Sequence, residues 1–376
     1  MIWRYLNIMP TIYEKNNLRR VINASGRMTA LGVSTIDNEV AKVLVEAAQN
    51  YVVIDELLDK VGELISVHTG GEDSCVTSCA SAAICLSVAA TIAGDDITLI
   101  EQLPNSAGLK NEIVIQKGHA VNFGADVCQM IRIGGGVPVE AGCANRVSKD
   151  HIRGCITDKT AALFYVKSHH AVQKGMVSLE DMIAIAHEKG LPIIVDAAAE
   201  EDITRYVAMG VDLTCYSGAK AFEAPTSGFV TGNKQLIAAA KKQYKGVGRP
   251  MKVGKECMMG LTKALELYTK RDNDAYLKTL ENRVDSLIAG LTGLPHIKVS
   301  KSADEAGRTI YRVKVDMLPD SPITAMELVD QLKAGNPAIH TRDHYSNVGT
   351  VFFDPRPMFD TDVQLVVERM KSILAK

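Results

Sequence analysis

Two residues in the middle of the chain have side chains suited to chemistry and lie where apolar segments end. Asp196 closes the apolar run 191–196 (LPIIVD), and Lys220 ends the segment 215–220 (CYSGAK). A carboxylate at the end of a buried strand can hold a protonated ring nitrogen, although Asp also occurs there as a helix or turn cap. A lysine whose pKa is lowered by desolvation can form a Schiff base with an aldehyde, although a lone lysine is usually a surface residue. Together, the two residues predict a site for a protonated ring that carries an aldehyde.

A third feature is the run of small residues 77–83 (TSCASAA), which leads into an uncharged stretch. Small residues let the backbone approach a ligand closely, and the free N–H groups of a helix N-terminus bind phosphate, with tight helix packing as the alternative explanation. Ser217 can add a hydroxyl to the same phosphate. A phosphate anchor, a pyridinium partner and an aldehyde partner are the three contacts that pyridoxal 5'-phosphate requires, so the sequence predicts this cofactor. The expected phosphate-loop residues are Ser78, Cys79, Ala80 and Ser81.

These residues must be positioned by alternating strands and helices, the pattern typical of an α/β fold with a mostly parallel sheet. A helix over 178–189, with Ser178 as its N-cap and Gly190 as its end, joins two of the predicted strands. The glycines at 134–136 precede no helical pattern, so they indicate a turn and not a dinucleotide site. The predicted strands are 97–101, 113–116, 161–167, 191–196 and 211–216.

The C-terminal third has a different pattern. Residues 255–291 form one long helical region, and residues 311–317 alternate apolar and charged side chains, which favours an antiparallel strand with one wet face. Further elements are a helix over 322–332 capped by Ser321, a strand at 348–353 and a helix at 360–374. We therefore predict a large domain over residues 1–254, with an N-terminal arm, and a connecting helix and smaller α+β domain over residues 255–376.

Composition excludes several classes of protein. The 42 basic and 44 acidic residues leave a net charge of −2, which disfavours a nucleic-acid-binding protein. The 21 uncharged residues 74–94 could span a bilayer, but their many Ser, Thr and Ala residues favour a buried helix. The 8 cysteines form no CxxC pair, and the first ten residues do not have the pattern of a signal peptide. A cytoplasmic enzyme without a metal site is expected.

Several motifs resemble fold-type I pyridoxal-phosphate enzymes of the L-seryl-tRNA selenium transferase group. The segments that carry this resemblance are 20–26 (RVINASG), 191–197, 212–220 and 248–255 (GRPMKVGK). A narrower likeness, to ammonia-lyases that act on phosphorylated amino sugar acids, spans nearly the whole chain. It is carried by 22–32 (INASGRMTALG), 79–83, 116–125 (QKGHAVNFGA) and 217–232 (SGAKAFEAPTSGFVTG).

Two sequence differences from the selenium transferases help to predict the kind of substrate. That group has an additional N-terminal domain that binds tRNA, whereas the likeness here begins near residue 12. The group also has an acidic residue immediately before its Schiff-base lysine, where this chain has Ala219. Both departures favour a small substrate over tRNA.

The resemblance implies roles for further residues. His119 is expected to stack on the cofactor ring, with a hydrogen-bonded core histidine as the alternative. His169 and His170 are expected near the cofactor hydroxyl or the substrate, or else in a solvated loop. The anion pocket for the substrate is expected to contain Arg27, Arg249 and Lys252, unless these form surface salt bridges. A substrate-carboxylate arginine is expected in the small domain, where Arg356 is preferred to Arg342.

The implied activity is an α,β-elimination by a homo-oligomeric lyase. It would convert 2-amino-2-deoxy-D-gluconate 6-phosphate to 2-dehydro-3-deoxy-6-phosphogluconate and ammonia. Two alternatives remain open on the sequence. One is a transferase with the same cofactor, either a selenium or sulfur transferase on aminoacyl-tRNA or an aminotransferase. The other is a binding or scaffolding protein that has lost the cofactor.

Overall fold

The structure is a computed structural model that describes residues 10–168, 170–304 and 309–375. It contains two compact units, Thr35–Lys270 (the large unit) and Met1–Ser34 with Arg271–Lys376 (the small unit). This division differs from the predicted one at residue 254. The first residues, which include helix α1 (Ile12–Lys15) and strand β1 (Val21–Ala24), group with the C-terminal part, because β1 pairs in parallel with the later strand Ala338–Thr341.

The large unit is built on a seven-stranded sheet among its described residues. Its strands are β2 Asp73–Thr77, β3 Glu112–Gln116, β4 Val137–Ala141, β5 Thr160–Val166, β6 Ile193–Asp196, β7 Leu213–Ser217 and β8 Gly228–Gly232. Their spatial order is β2-β8-β7-β6-β5-β3-β4, and only β8 runs against its neighbours. The predicted, mostly parallel sheet is therefore confirmed, and the C-terminal ends of β2, β3, β5, β6 and β7 lie at one edge.

Helices accompany this sheet. They are α2 Asn38–Gln49, α3 Ile54–Thr69, α4 Ala80–Ala93, α5 Ile97–Gln102, α6 Val127–Ile133, α7 Lys149–Cys155, α8 Leu179–Glu188, α9 Arg205–Ala208, α10 Lys234–Lys242 and α11 Lys255–Lys270. Every residue of β5 and β7 is buried, as expected for central strands covered on both faces. Most of α4 is buried too, which explains its small, uncharged residues. No helix among the described residues is long and apolar enough to cross a membrane.

The small unit contains an antiparallel sheet, as predicted, in the order β12-β10-β9. Its remaining elements are α12 Asn273–Leu291, β9 Ile297–Ala303, β10 Tyr311–Met317, α13 Ala325–Ala334, β11 Ala338–Thr341, β12 Thr350–Phe353 and α14 Asp360–Leu374. The strand β11 is the partner of β1. Apolar side chains from α12, α13, α14 and the strands form one core.

Three predicted elements were wrong, and in each case a helix cap explains the difference. Residues 97–101 form α5 and not a strand, because the Asp96 carboxylate accepts hydrogen bonds from the first N–H groups of a helix. The predicted helix 255–291 is interrupted before Asp272, which caps α12. The helix expected from residue 322 begins at Ala325, where Thr324 and Glu327 form a capping box.

Candidate active site

The predicted phosphate loop and Ser217 are brought to one point by strand β8. Thr77, at the end of β2, and Ser217, at the end of β7, both pair with Gly228. A Cβ atom on Gly228 would lie 2.4 Å from the carbonyl carbon of Cys79 and 2.6 Å from the nitrogen of Ala80. Only glycine therefore permits the loop to lie this close to the sheet. No role was predicted for Gly228 from the sequence, although it lies in the segment 217–232 that carries the resemblance.

The loop ends in the N-terminus of α4, where Cys79 is the N-cap. The Cys79 Sγ atom accepts a hydrogen bond from the Ala82 N–H at 3.4 Å, and the Thr77 hydroxyl donates to the Cys79 carbonyl at 2.8 Å. Helical geometry leaves the N–H groups of Ala80 and Ser81 without an acceptor inside the helix, at its positive end. The predicted loop thus has the donors that a phosphate group needs.

The close contact between Gly228 and the phosphate loop leads to a prediction about cofactor affinity. Replacing Gly228 by alanine should displace the loop backbone and raise the Kd for pyridoxal phosphate roughly 10- to 100-fold, because overpacking costs about 1–3 kcal/mol. The measurement is a titration of the apoenzyme, followed by absorbance. The matched control is Gly154→Ala in α7, where a Cβ atom meets no atom within 4 Å. Equal affinities in the two variants would contradict the role given to Gly228.

Asp196 lies at the end of β6, between β5 and β7, and is only 6% exposed. Its Oδ1 atom accepts a hydrogen bond from the Ala198 N–H at 3.0 Å. Burial raises the pKa of Asp196, and the nearby positive charge of Lys220 opposes that rise. A carboxylate in such a place stays ionised when a cationic partner is present. A protonated ring nitrogen would be that partner.

Lys220 lies in a backbone turn that follows β7. The Gly218 N–H donates to the Ser227 carbonyl at 2.9 Å, and the Ala224 N–H donates to the Gly218 carbonyl at 3.0 Å. A Cβ atom on Gly218 would lie 2.3 Å from the Ser227 hydroxyl oxygen, so a larger residue here would displace that side chain. The lysine is partly buried at the sheet edge, near enough to Asp196 to affect its pKa.

His119 follows β3 and is completely buried. Its Nδ1 atom accepts a hydrogen bond from the Val166 N–H at 3.2 Å, which places the ring proton on Nε2. Among the described residues Nε2 has no hydrogen-bond partner, and Tyr165 contacts the ring edge-on at a centroid distance of 4.4 Å. Burial lowers the pKa of His119 to about 4, so the ring is neutral at pH 7. A rigid, neutral ring is well suited to stack on a pyridine.

The acidic segment just beyond Asp196 is held by tyrosines that the sequence reasoning missed. Each of three hydroxyls donates a hydrogen bond to a different residue of this segment. The pairs are Tyr206 with the Glu200 carboxylate at 2.8 Å, Tyr268 with the Glu201 carbonyl at 2.6 Å and Tyr216 with the Asp202 carbonyl at 3.1 Å. Tyr216 lies in the predicted segment 215–220, whereas the other two tyrosines lie outside the predicted motifs, so the clearest sequence signal was the acidic run 200–202. These three hydrogen bonds hold the chain segment that follows Asp196.

The residues predicted to bind substrate lie in both units. In the large unit, Arg249 and Lys252 are exposed around the short 3-10 helix Arg249–Met251, and His170 is exposed in a turn. In the small unit, the Arg27 guanidinium donates to the Tyr276 hydroxyl at 3.2 Å. His169 lies outside the described residues.

Arg356, in the small unit, forms a two-pronged ion pair with Asp354. Its Nε atom lies 3.0 Å from Oδ1 and its Nη2 atom lies 2.9 Å from Oδ2 of that carboxylate. The pair leaves Asp354 fully buried and only 8% of the Arg356 side chain exposed. A role for Arg356 in binding a substrate carboxylate stays a prediction.

The donor set at the edge of the large-unit sheet fits pyridoxal phosphate. The helix N–H groups suit its phosphate, the buried carboxylate of Asp196 suits its ring nitrogen and the amine of Lys220 suits its aldehyde. The buried, neutral ring of His119 suits its ring face. The residues predicted from sequence for the cofactor therefore all lie at this edge.

Comparisons with known proteins show the family of this chain. The sequence profile of the L-seryl-tRNA selenium transferase family matches residues 21–287. D-glucosaminate-6-phosphate ammonia lyase of Salmonella typhimurium is 45% identical over 365 residues, which are 97% of this chain and 98% of the relative. The 5'-C-glycyluridine monooxygenase-decarboxylase of a Streptomyces species is 38% identical, over 96% of this chain and 92% of the relative.

Comparison with solved structures identifies the same kind of enzyme and its fold. A structure of D-glucosaminate-6-phosphate ammonia-lyase matches with a TM-score of 0.91 at 43% identity, covering 98% of this chain and 99% of the other. An aspartate aminotransferase of Thermus thermophilus matches with a TM-score of 0.54 at 17% identity, over 100% of this chain and 99% of the other, which shows the fold alone. The predicted fold-type I architecture is thereby confirmed.

Proposed function

The chain belongs to the L-seryl-tRNA selenium transferase family of pyridoxal-phosphate enzymes, and from that premise we propose that it is an ammonia-lyase for a phosphorylated 2-amino sugar acid. The substrate is 2-amino-2-deoxy-D-gluconate 6-phosphate, and the products are 2-dehydro-3-deoxy-6-phosphogluconate and ammonia. The observation that carries the proposal is the 45% identity to an ammonia lyase over 97% of the chain. The cofactor residues at the sheet edge are compatible with it.

The cofactor is held by residues of the large unit. The loop Ser78–Ser81 and Ser217 would bind its phosphate, His119 would pack on its ring and Lys220 would bind its aldehyde. When bound, pyridoxal phosphate supplies an electron-withdrawing ring that takes up the negative charge formed at C2 of the substrate. Asp196 keeps the proton on the ring nitrogen and so maintains that capacity.

The protein's own groups move the protons. The amine of Lys220 would remove the proton from C2 of the substrate. The C3 hydroxyl then leaves as water after receiving a proton from Lys220 or a histidine. Burial lowers the pKa of His119 to about 4, which favours Lys220 or another histidine as that donor. Hydrolysis of the C2–N bond consumes one water, releases ammonia and leaves a ketone, so the reaction needs no oxidant or reductant.

Basic residues bind the phosphate and the carboxylate at the two ends of the substrate. We assign the phosphate to Arg27, Arg249 and Lys252, and the carboxylate to Arg356. Arginine is suited to both because its planar guanidinium forms two parallel hydrogen bonds. His169 and His170 are assigned to the substrate or to the proton transfer at C3.

Arg249→Ala tests the phosphate assignment. A charge-assisted hydrogen bond contributes about 1.5–3 kcal/mol, so kcat/KM for the phosphorylated substrate should fall roughly 10- to 100-fold. Cofactor absorbance should be unchanged, and the dephosphorylated substrate should be affected much less. Steady-state kinetics with both substrates provides the measurement. An equal loss on the two substrates would mean that Arg249 serves the carboxylate or the fold.

The activity itself is tested by supplying phosphorylated amino sugar acids and measuring ammonia and keto acid. Only a lyase releases ammonia without an acceptor. A selenium or sulfur transferase would instead shift aminoacyl-tRNA in a gel, and an aminotransferase would need a keto-acid acceptor. Absence of ammonia release with every substrate, in enzyme that carries its cofactor, would contradict the proposal.

A second activity is favoured by the 38% identity to a monooxygenase-decarboxylase. An enzyme of that class would consume oxygen and release carbon dioxide from an amino acid substrate. An oxygen electrode distinguishes the two reactions, because the elimination proposed above proceeds unchanged without oxygen. We expect no oxygen uptake during turnover of the amino sugar acid.

We further propose a cytoplasmic homo-oligomer. The cysteines are all free, as is usual in a reducing compartment. Apolar side chains at Tyr51, Val52, Val53 and Ile54 are exposed, which favours contact with a further chain. Light scattering after gel filtration measures the oligomeric state, and a monomer at all concentrations would contradict the second part of the proposal.

A further inference from the structure

Tyr244 contacts the strand that leads into the phosphate loop, and the proposed mechanism gives it no role. It lies in the short 3-10 helix Gln243–Lys245, which follows α10 in the large unit. Its hydroxyl donates a hydrogen bond of 2.7 Å to the main-chain carbonyl of Val76. Burial raises the pKa of Tyr244, so the hydroxyl stays protonated and acts as a donor.

Val76 lies one residue before the end of β2, where the phosphate loop begins. Strand β2 is at one end of the sheet, with β8 as its single neighbour among the described strands. A strand in that position has main-chain groups that no second strand can bind, so a hydrogen bond from a side chain adds to its stability. The next residue, Thr77, donates its hydroxyl to the carbonyl of Cys79, the N-cap of α4. Two side-chain hydrogen bonds therefore hold the chain that enters the loop.

The same short helix also begins the segment that carries Arg249. The Gln243 side chain is completely buried, and its Nε2 atom donates to a carbonyl at the C-terminal end of α4 at 3.0 Å. The Gln243 main-chain carbonyl accepts hydrogen bonds of 2.9 Å from the N–H groups of Gly246 and Gly248. The Arg249 N–H then donates to the Gly246 carbonyl at 3.0 Å. Continuous hydrogen bonding thus connects the position of Tyr244 to that of Arg249.

We infer that Tyr244 is a positioning residue for the cofactor phosphate, and that it joins the phosphate loop to the segment that carries Arg249. Removal of its hydroxyl leaves the Val76 carbonyl without this donor and loosens the start of the loop. The ring nitrogen and aldehyde contacts, at Asp196 and Lys220, follow other strands and should not change. The inference rests on the phosphate loop of the proposed function and is independent of the substrate.

The test is Tyr244→Phe, which removes only the hydroxyl and keeps the ring in its apolar surroundings. The apoenzyme is titrated with pyridoxal phosphate and with pyridoxal, which has no phosphate. The Kd for pyridoxal phosphate should rise roughly 3- to 10-fold, as expected for the loss of a neutral hydrogen bond, and the Kd for pyridoxal should be unchanged. The matched control is Tyr216→Phe, because the Tyr216 hydroxyl donates to the Asp202 carbonyl outside the phosphate loop. It should keep the wild-type ratio of the two Kd values.

Amide hydrogen exchange measures the connection to Arg249. In the wild type, pyridoxal phosphate should slow exchange at Gly246, Gly248 and Arg249 more than pyridoxal does, because only the phosphate fixes the loop. In Tyr244→Phe this difference between the two ligands should disappear.

The inference is overturned if Tyr244→Phe changes both Kd values by the same factor or leaves both unchanged. It is also overturned if the wild type shows no difference in exchange between the two ligands, or if the variant keeps that difference. Gly228→Ala distinguishes such a failure from a wrong assignment of the phosphate loop. If only Gly228→Ala weakens pyridoxal phosphate relative to pyridoxal, the loop assignment stands and the role of Tyr244 is wrong. If neither variant does so, the loop assignment itself is wrong.

Discussion

Replacing Lys220 by alanine is expected to lower turnover at least about 1000-fold, because its amine both holds the cofactor and moves the proton at C2. Borohydride treatment of the wild type should leave the reduced cofactor on the peptide that contains Lys220, and the variant should have no such adduct. Mass spectrometry of the digested protein provides the measurement. The backbone turn around Gly218 holds the lysine at the sheet edge, so the variant should fold normally.

Lys245→Ala is the control for that experiment, since Lys245 is an exposed lysine of the same unit. It should keep both the adduct and the activity. An adduct found only on Lys167 or Lys252 would show that the assignment of Lys220 is wrong.

The second large effect is expected for Asp196→Asn. An amide cannot keep the pyridine nitrogen protonated, so the ring loses its capacity to take up charge, and turnover should fall at least about 100-fold. Cofactor should still bind through the phosphate loop and Lys220. The absorbance spectrum and the ammonia assay together separate these effects. Near wild-type turnover would contradict the role of Asp196, and loss of folding would favour a purely structural carboxylate.

The raised pKa of Asp196 adds a test that does not depend on activity. In the apoenzyme the folded state holds this proton more tightly than the unfolded state, because burial disfavours the charged form. The stability that this proton contributes is therefore lost as the pH rises above the ordinary aspartate pKa of 3.8. Asp196→Asn removes this loss, so the apo variant should unfold at a higher temperature than the apo wild type at pH 8. An identical pH dependence of Tm in both proteins would contradict the burial argument.

The cofactor site was largely predictable because its signals are local. Apolar runs mark β5, β6 and β7, and the charged or polar residue at the end of each run necessarily lies at the same edge of a parallel sheet. Ser178 and Gly190 bound α8 through capping and turn geometry that involve only neighbouring residues. The start of α4 follows from small residues before a buried helix. For such features, sequence spacing is enough to determine position.

Other features depended on contacts between distant segments. Residues 97–101 have a strand-like composition, yet the hydrogen bonds from Thr98 and Leu99 to Asp96 start a helix there. The predicted arm belongs to the small unit because Val21–Ala24 pairs with Ala338–Thr341, more than 300 residues away. The hydrogen bonds of such a pairing form only when both strands lie side by side in the fold. Neither segment by itself therefore predicts its partner.

Properties of the candidate active site also depend on contacts between distant segments. The neutral state of His119 depends on an N–H group of Val166 and on burial, neither of which can be read from the residues around it. The requirement for glycine at 228 exists because a different strand places Cys79 against it. Residue types determined the chemistry of this protein from sequence alone, whereas ionisation and close approach were decided by tertiary packing, since each is a property of the surroundings.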